Sequence, residues 1–308
     1  MSSVANPVVT SAPEPPSSER QPPWLMLGWF LGLLILCYAP VLARLVKQWN
    51  DDEDMGHGFF VPVIAAYIAW QDRDKLLGRP LQTNYLGLVI VILAAIQMYI
   101  GTLGAEIFLA RTAFVEAVFG SVLFLGGTYA LRVLLFPLLL LCFMVPLPAV
   151  IYSQITFPLQ IFASQVAAFS LELVGIPVLR DGNVLELPSQ KLSVVEACSG
   201  IRSLLSLTFL SLVYGYFFDK KPWMRIALFL STVPIAIVAN AGRVTLTGIM
   251  SEINTDLAHG SAHTASGWVI FMIALAMMVV THQLINLVYK FFTQRSSSSS
   301  SKVQVENA

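Results

Sequence analysis

Apolar stretches of about 20 residues recur along most of the chain, separated by short polar breaks, and each is long enough to cross ~30 Å of hydrocarbon as a helix. The pattern predicts eight spans, at roughly residues 24–46, 58–70, 85–105, 108–128, 131–150, 200–218, 223–241 and 264–289. The second is short and depends on its flanks. Residues 156–176 carry Gln160, Ser164, Gln165, Ser170 and Glu172 among apolar neighbours, the pattern of an interfacial or re-entrant helix. In residues 177–195, "PVLRDGNVLELPSQKLSVV", short β-branched and Leu-rich runs flank Asp181-Gly182-Asn183, which predicts a small extracytoplasmic β-hairpin. The ends, 1–23 and the Ser-rich 291–308, lack apolar periodicity and are expected as disordered tails. The fold class that follows is an all-α polytopic membrane protein, with one transmembrane domain over 24–290.

Composition strengthens that reading. The chain is 56% hydrophobic and 12% charged, against about a quarter charged in soluble domains. With 18 basic and 18 acidic residues the net charge is zero, so no overall field draws it to nucleic acid. Where the charges sit is more telling. With the N-terminus inside and eight spans, 11 of the 18 basic residues face the cytoplasm, including those of "DKKPWMR", as the positive-inside rule requires. The acidic "DDED" at 51–54 then falls outside and both termini are cytoplasmic; a full crossing by 156–176 would reverse the later loops. The first apolar segment is too long for a secretory h-region and is read as a retained span. There is no Gly-rich phosphate loop and no metal-ligand cluster, so neither cofactor nor metal is expected.

The chemistry-bearing residues gather at span mouths. "VVEACSGIRSLL" sets Cys198 at the start of the sixth span, where unpaired helix N–H groups and the dipole stabilise a thiolate. Glu196 opposes this, because a carboxylate facing the sulfur raises the thiol pKa. Cys37 and Cys142 lie within spans and read as small packing residues. Arg202 follows Cys198 by one helical turn, Arg243 closes the seventh span in "VANAGRVTLTG", and His263 opens the eighth in "AHGSAHTASGW", with His259 a nearby competitor. An arginine at the bilayer needs a partner, an aqueous cavity or a snorkelling path. By parity Cys198, Arg243 and His263 emerge at one outer face. A thiolate, an imidazole and a fixed guanidinium suffice for acyl transfer through a thioester. Their contact across three helices is an assumption that spacing alone does not establish.

The ordered motifs "GHGFFVP" (56–62), "PLPAVIYSQITFPLQIFAS" (146–164), "EACSGIRSL", "NAGRVTLTG" and "HTASGW" resemble the core motifs of the exosortase/archaeosortase family over about residues 50–280. The resemblance implies a multi-spanning cysteine protease and transpeptidase of the bacterial inner membrane. Its partners would be secreted proteins ending in a PEP-CTERM signal (Pro-Glu-Pro, an apolar helix and a basic tail), with an unidentified amine or water as acceptor and a link to exopolysaccharide. By motif position it implies Cys198 as nucleophile, Arg243 as oxyanion- or carboxylate-binding residue and His263 as general acid/base, with Asn240, Arg202 and His57 in supporting or substrate-binding roles. Two other classes stay open. Ionisable residues among spans also mark transporters, and a non-catalytic factor for exopolysaccharide export would not need its cysteine.

Overall fold

The computed structural model describes residues 24–78, 82–194, 201–254 and 260–306. It is helical apart from a small sheet, as lipid demands, because a helix satisfies its own backbone hydrogen bonds without water. Helices α1 (Trp24–Cys37) and α2 (Ala39–Asp51) meet at a 74° bend, and Pro40, which lacks an N–H, falls in the first turn of α2. A 3₁₀ turn, Glu53–Phe59, leads into α3 (Phe60–Gln71), a short α4 (Arg73–Leu77), α5 (Tyr85–Leu103) and α6 (Ile107–Leu140), which ends in a 3₁₀ turn at Leu141–Met144. Then come α7 (Ala149–Leu173), strands β1 (Leu179–Asp181), β2 (Val184–Glu186) and β3 (Lys191–Ser193), and helices α8 (Ile201–Phe218), α9 (Pro222–Ile253) and α10 (Gly260–Glu306).

Among the described residues, five helices are long and apolar enough to cross a membrane, or six if the bent pair α1–α2 counts as one. The expected eight differ from six at two places. At 12 residues, α3 is only about 18 Å long at 1.5 Å per residue. The stretch Ile107–Met144 is continuous in its helical bonding but holds two expected spans, broken at Gly127 (φ 69°, ψ −170°). That glycine is required twice over: its φ is left-handed, and a Cβ would stand 2.3 Å from the Gln82 carbonyl oxygen. The break lets α6 fold back on itself. Arg111 shares a cavity with Arg44 of α2, while the Met144 carbonyl accepts from Trp49 Nε1 of the same helix at 3.0 Å. A straight helix would hold residues 111 and 144 about 50 Å apart.

The outgoing arm of α6 pairs with α5 at backbone contact. A Cβ on Gly87 would lie 2.2 Å from the Phe124 nitrogen, and one on Gly101 2.8 Å from the Ala110 nitrogen. Small residues at such seams let helices gain packing where lipid supplies no hydrophobic drive. The start of α5 is capped by the Asn84 side chain, which accepts from the Leu86 N–H at 3.0 Å.

The expected hairpin is a three-stranded antiparallel sheet, ordered β1-β2-β3, in which Asp181 pairs Val184 across the turn at Gly182 and Leu185 pairs Leu192. Residues 188–190 therefore make a second turn, and β3 leads straight to the segment carrying Cys198. The buried face, Leu185, Leu187, Leu192 and Val194, packs on Ala163, Ala167 and Leu171 of α7 and Val244 of α9. So α7 is an uninterrupted helix held by the sheet and by the later turns of α9, and Phe157, Phe162, Phe169 and Leu173 stay exposed along it. The sequence leads one to expect an interfacial or re-entrant helix over residues 156–176; α7 is one helix of 25 residues, with Gln160 and Ser164 buried.

At the far end of the bundle, polar contacts close the α8–α9 turn. His282 Nε2 lies 3.0 Å from Asp219 Oδ2, Arg225 donates twice to the Asp219 carbonyl, and Tyr216 Oη donates to Asp72 Oδ2 at 2.7 Å. Helix α10 runs on through the serine-rich stretch to Glu306, where the sequence leads one to expect a disordered tail; once nucleated, a helix extends one bond per residue.

Candidate functional site

Helix α9 has 32 residues, so it is about 48 Å long and exceeds the hydrocarbon core by ~18 Å. Arg243 stands 21 residues beyond Pro222, about 31 Å along the axis. Arg243 therefore lies in the second half of the helix, ten residues before its end at Ile253.

There Arg243 is half-buried and lies against α10. A Cβ placed on Gly267 would come within 3.1 Å of Arg243 Nη2 and 3.2 Å of its Cζ. The glycine of "HTASGW" is therefore the floor on which the guanidinium rests. His263 precedes Gly267 by four residues, one turn earlier on the same face of α10. Its backbone is helical, while its side chain lies outside the described residues. Asn240, one turn before Arg243, is 5% exposed, and its Nδ2 has no hydrogen-bond partner among the described residues. A buried amide left open in this way is costly, and it sits on the same side of α9 as the arginine.

A second group forms at the start of α8. Arg202 Nε donates to Asp54 Oδ1 at 3.0 Å, and Tyr152 Oη donates to Asp54 Oδ2 at 2.6 Å. Both carboxylate oxygens of Asp54 thus tie the 3₁₀ turn Glu53–Phe59 to α8 and α7. The turn is itself fastened: Asp52 accepts from the Asp54 N–H at 3.0 Å, and the Trp49 indole covers Gly58, where a Cβ would stand 2.5 Å from the ring. His57 follows in the same turn. It is 9% exposed, with its ring 6.3 Å from that of Phe209. Burial pushes its imidazole below the ordinary histidine range; the backbone of Phe143 and Asp54 opposes that shift without reaching hydrogen-bond geometry at either ring nitrogen.

Cys198 falls in residues 195–200, outside the described residues. The chain is anchored on both sides of it: Val194 and Ile201 are fully buried, and the Val194 N–H donates to the Asn183 carbonyl at 3.0 Å. Cys37 and Cys142 are free thiols on the outer surface of the bundle.

Of the six residues expected at the site, the structure thus seats Arg243 on the helix that carries His263, with Asn240 one turn before it on α9. It joins Arg202 to the turn that carries His57. Asp54, Tyr152 and Gly267 escape the sequence reading. Asp54 is hidden in a "DDED" run that reads as an acidic loop, whereas Gly267 stands within a quoted motif and is the more discoverable. No group of His, Cys, Asp or Glu among the described residues is arranged to hold a metal. A larger hollow of about 430 Å³, lined by Gln82, Asn84 and Gly127, touches none of the motif residues.

The profile of the transmembrane exosortases matches residues 49–280, three quarters of the chain and every motif residue named above. No curated protein and no solved structure matches it.

Proposed function

The chain belongs to the transmembrane exosortase family, membrane enzymes of protein sorting, and from that premise we propose that it is a cysteine protease and transpeptidase acting on PEP-CTERM signals. Cys198 Sγ attacks the carbonyl of the scissile peptide bond. Arg243 neutralises the oxyanion of the tetrahedral intermediate, or holds the glutamate carboxylate of the Pro-Glu-Pro segment. His263 delivers a proton to the leaving amine as the C–N bond breaks, and a thioester remains on Cys198. An amine on a surface polymer or lipid then takes the acyl group and releases the thiolate; water in its place gives hydrolysis.

The observation that carries the proposal is the guanidinium of Arg243 seated on Gly267, one turn from His263. Two of the three reacting residues then come from neighbouring helices, Arg243 from α9 and His263 from α10, one turn from the contact at Gly267. A sorting signal with its apolar helix in the bilayer and its basic tail in the cytoplasm would bring its Pro-Glu-Pro segment to the outer boundary. The active site therefore faces outward from the inner membrane, with both chain termini inside. Asp54 and Tyr152 hold Arg202, four residues after the nucleophile in sequence, in a supporting role.

Cys198→Ala, expressed beside a PEP-CTERM protein, should accumulate in the membrane and leave that protein at full length. A non-catalytic assembly factor or a transporter would tolerate the substitution, so normal processing by this variant refutes the proposal.

A further inference from the structure

Arg111 lies on α6, four residues past its first turn's start, and is 7% exposed. Its Nε has no hydrogen-bond partner among the described residues. The charge that acts on it is another cation, Arg44 of α2, and the two line one cavity of about 180 Å³ with Thr102, Ala105 and Ile107. Neither arginine enters an ion pair among the described residues. Neither nearby carboxylate pairs with them among the described residues: Glu116 accepts from Gln97 Nε2 at 3.2 Å, and Glu106 is exposed. Two guanidinium groups facing one space without an anion repel each other, and a buried one without a partner is expensive.

The cavity also lies beside a helix end. It adjoins the start of α6, whose first turn holds no acidic residue and whose Glu106 cap makes no side-chain bond to the free N–H groups, so the positive end of the helix dipole faces it. Ala105 takes a left-handed backbone, φ 54°, to turn the chain there, a conformation a residue with a Cβ holds at some strain. Ile107 of the cavity lining is exposed and apolar, as are Ile100 and Leu103 at the end of α5. An aqueous anion site has no use for such a rim, whereas a molecule with a charged head and hydrocarbon chains does.

We propose that Arg44 and Arg111 form a binding site for the phosphodiester of a membrane phospholipid, with the headgroup in the cavity and the acyl chains along the apolar ends of α5 and α6. The cavity has the volume of roughly six waters, which accommodates a phosphate and part of its headgroup. Arg44 is the exposed gate and Arg111 the buried base.

The test uses the full-length protein, purified and stripped of lipid in detergent, with thermal stability followed as short-chain phosphatidylglycerol is added. Saturable stabilisation is expected. Arg44→Gln should weaken it about tenfold, the loss of one charge-assisted contact, and Arg44→Lys should recover part. Because Arg44 is exposed, its variants fold even if Arg111→Gln does not. Parallel titrations use inorganic phosphate and short-chain diacylglycerol. Stabilisation by phosphate alone to the same extent overturns the lipid assignment in favour of a soluble anion. Equal stabilisation by diacylglycerol, or equal response of wild type and Arg44→Gln to phosphatidylglycerol, overturns the site.

Discussion

Gly267→Ala separates catalysis from folding. The added methyl would stand 3.1 Å from Arg243 Nη2 and 3.2 Å from Cζ, tighter than ordinary carbon contacts by a few tenths of an ångström. The guanidinium is the far end of a flexible side chain, so it yields and the helix does not. On stability alone the variant gains, since alanine in a helix interior is better than glycine by about 0.5–1 kcal/mol. Catalysis responds the other way: misplacing a reacting group by about 1 Å costs on the order of 100-fold. A shift of a few tenths should therefore slow processing by roughly threefold to tenfold, and Gly267→Val, with its larger side chain, by more. Processing of a co-expressed PEP-CTERM substrate is followed by immunoblot at matched enzyme levels, with thermal stability measured on the purified variants. Wild-type processing by both variants would refute the claim that the seat of Arg243 on α10 belongs to the active site. Parallel loss of stability and activity would show that the glycine serves packing only.

Two further predictions concern the Asp54 group. Asp54→Asn should reduce processing severalfold while lowering stability by less than about 1 kcal/mol, because Arg202 is 39% exposed in its side chain; an activity loss with Asp54→Asn that Asp54→Glu does not partly recover would argue against a charge-positioning role. His57 is buried with its pKa below the ordinary value near 6.5, so between those two pKa values the unfolded chain binds more protons than the folded one. Stability from this group is therefore complete above about pH 6.5 and falls as pH drops below it, and His57→Phe should flatten that acid limb in a thermal-stability series; an unchanged limb would assign the acid sensitivity elsewhere.

The membrane character of the chain is legible in its hydrophobic runs, since a 20-residue apolar stretch has few alternatives to a helix. What the runs do not show is how they fold together. Residues 108–150 read as two spans because their hydropathy dips near Gly127-Thr128, yet the reversal there depends on a backbone contact with Gln82 that no window of hydropathy contains. The site divides in the same way. Cysteine, arginine and histidine at span mouths stand out because charge and thiol are rare in such surroundings. Asp54 does not, because its partner Arg202 lies 148 residues away and a carboxylate in an acidic loop looks solvated until that partner is found. Gly267 marks a different limit: a glycine reports a close approach without saying by what.

In the proposed mechanism Cys198 carries the acyl group. Peptide mass spectrometry on acid-quenched wild-type enzyme recovered from cells making a PEP-CTERM substrate should find Cys198 joined to the substrate's new C-terminus by a hydroxylamine-labile bond, and Cys198→Ala enzyme should carry no such adduct. Substrate cleavage by Cys198→Ala, or an adduct on any other residue, would contradict the account.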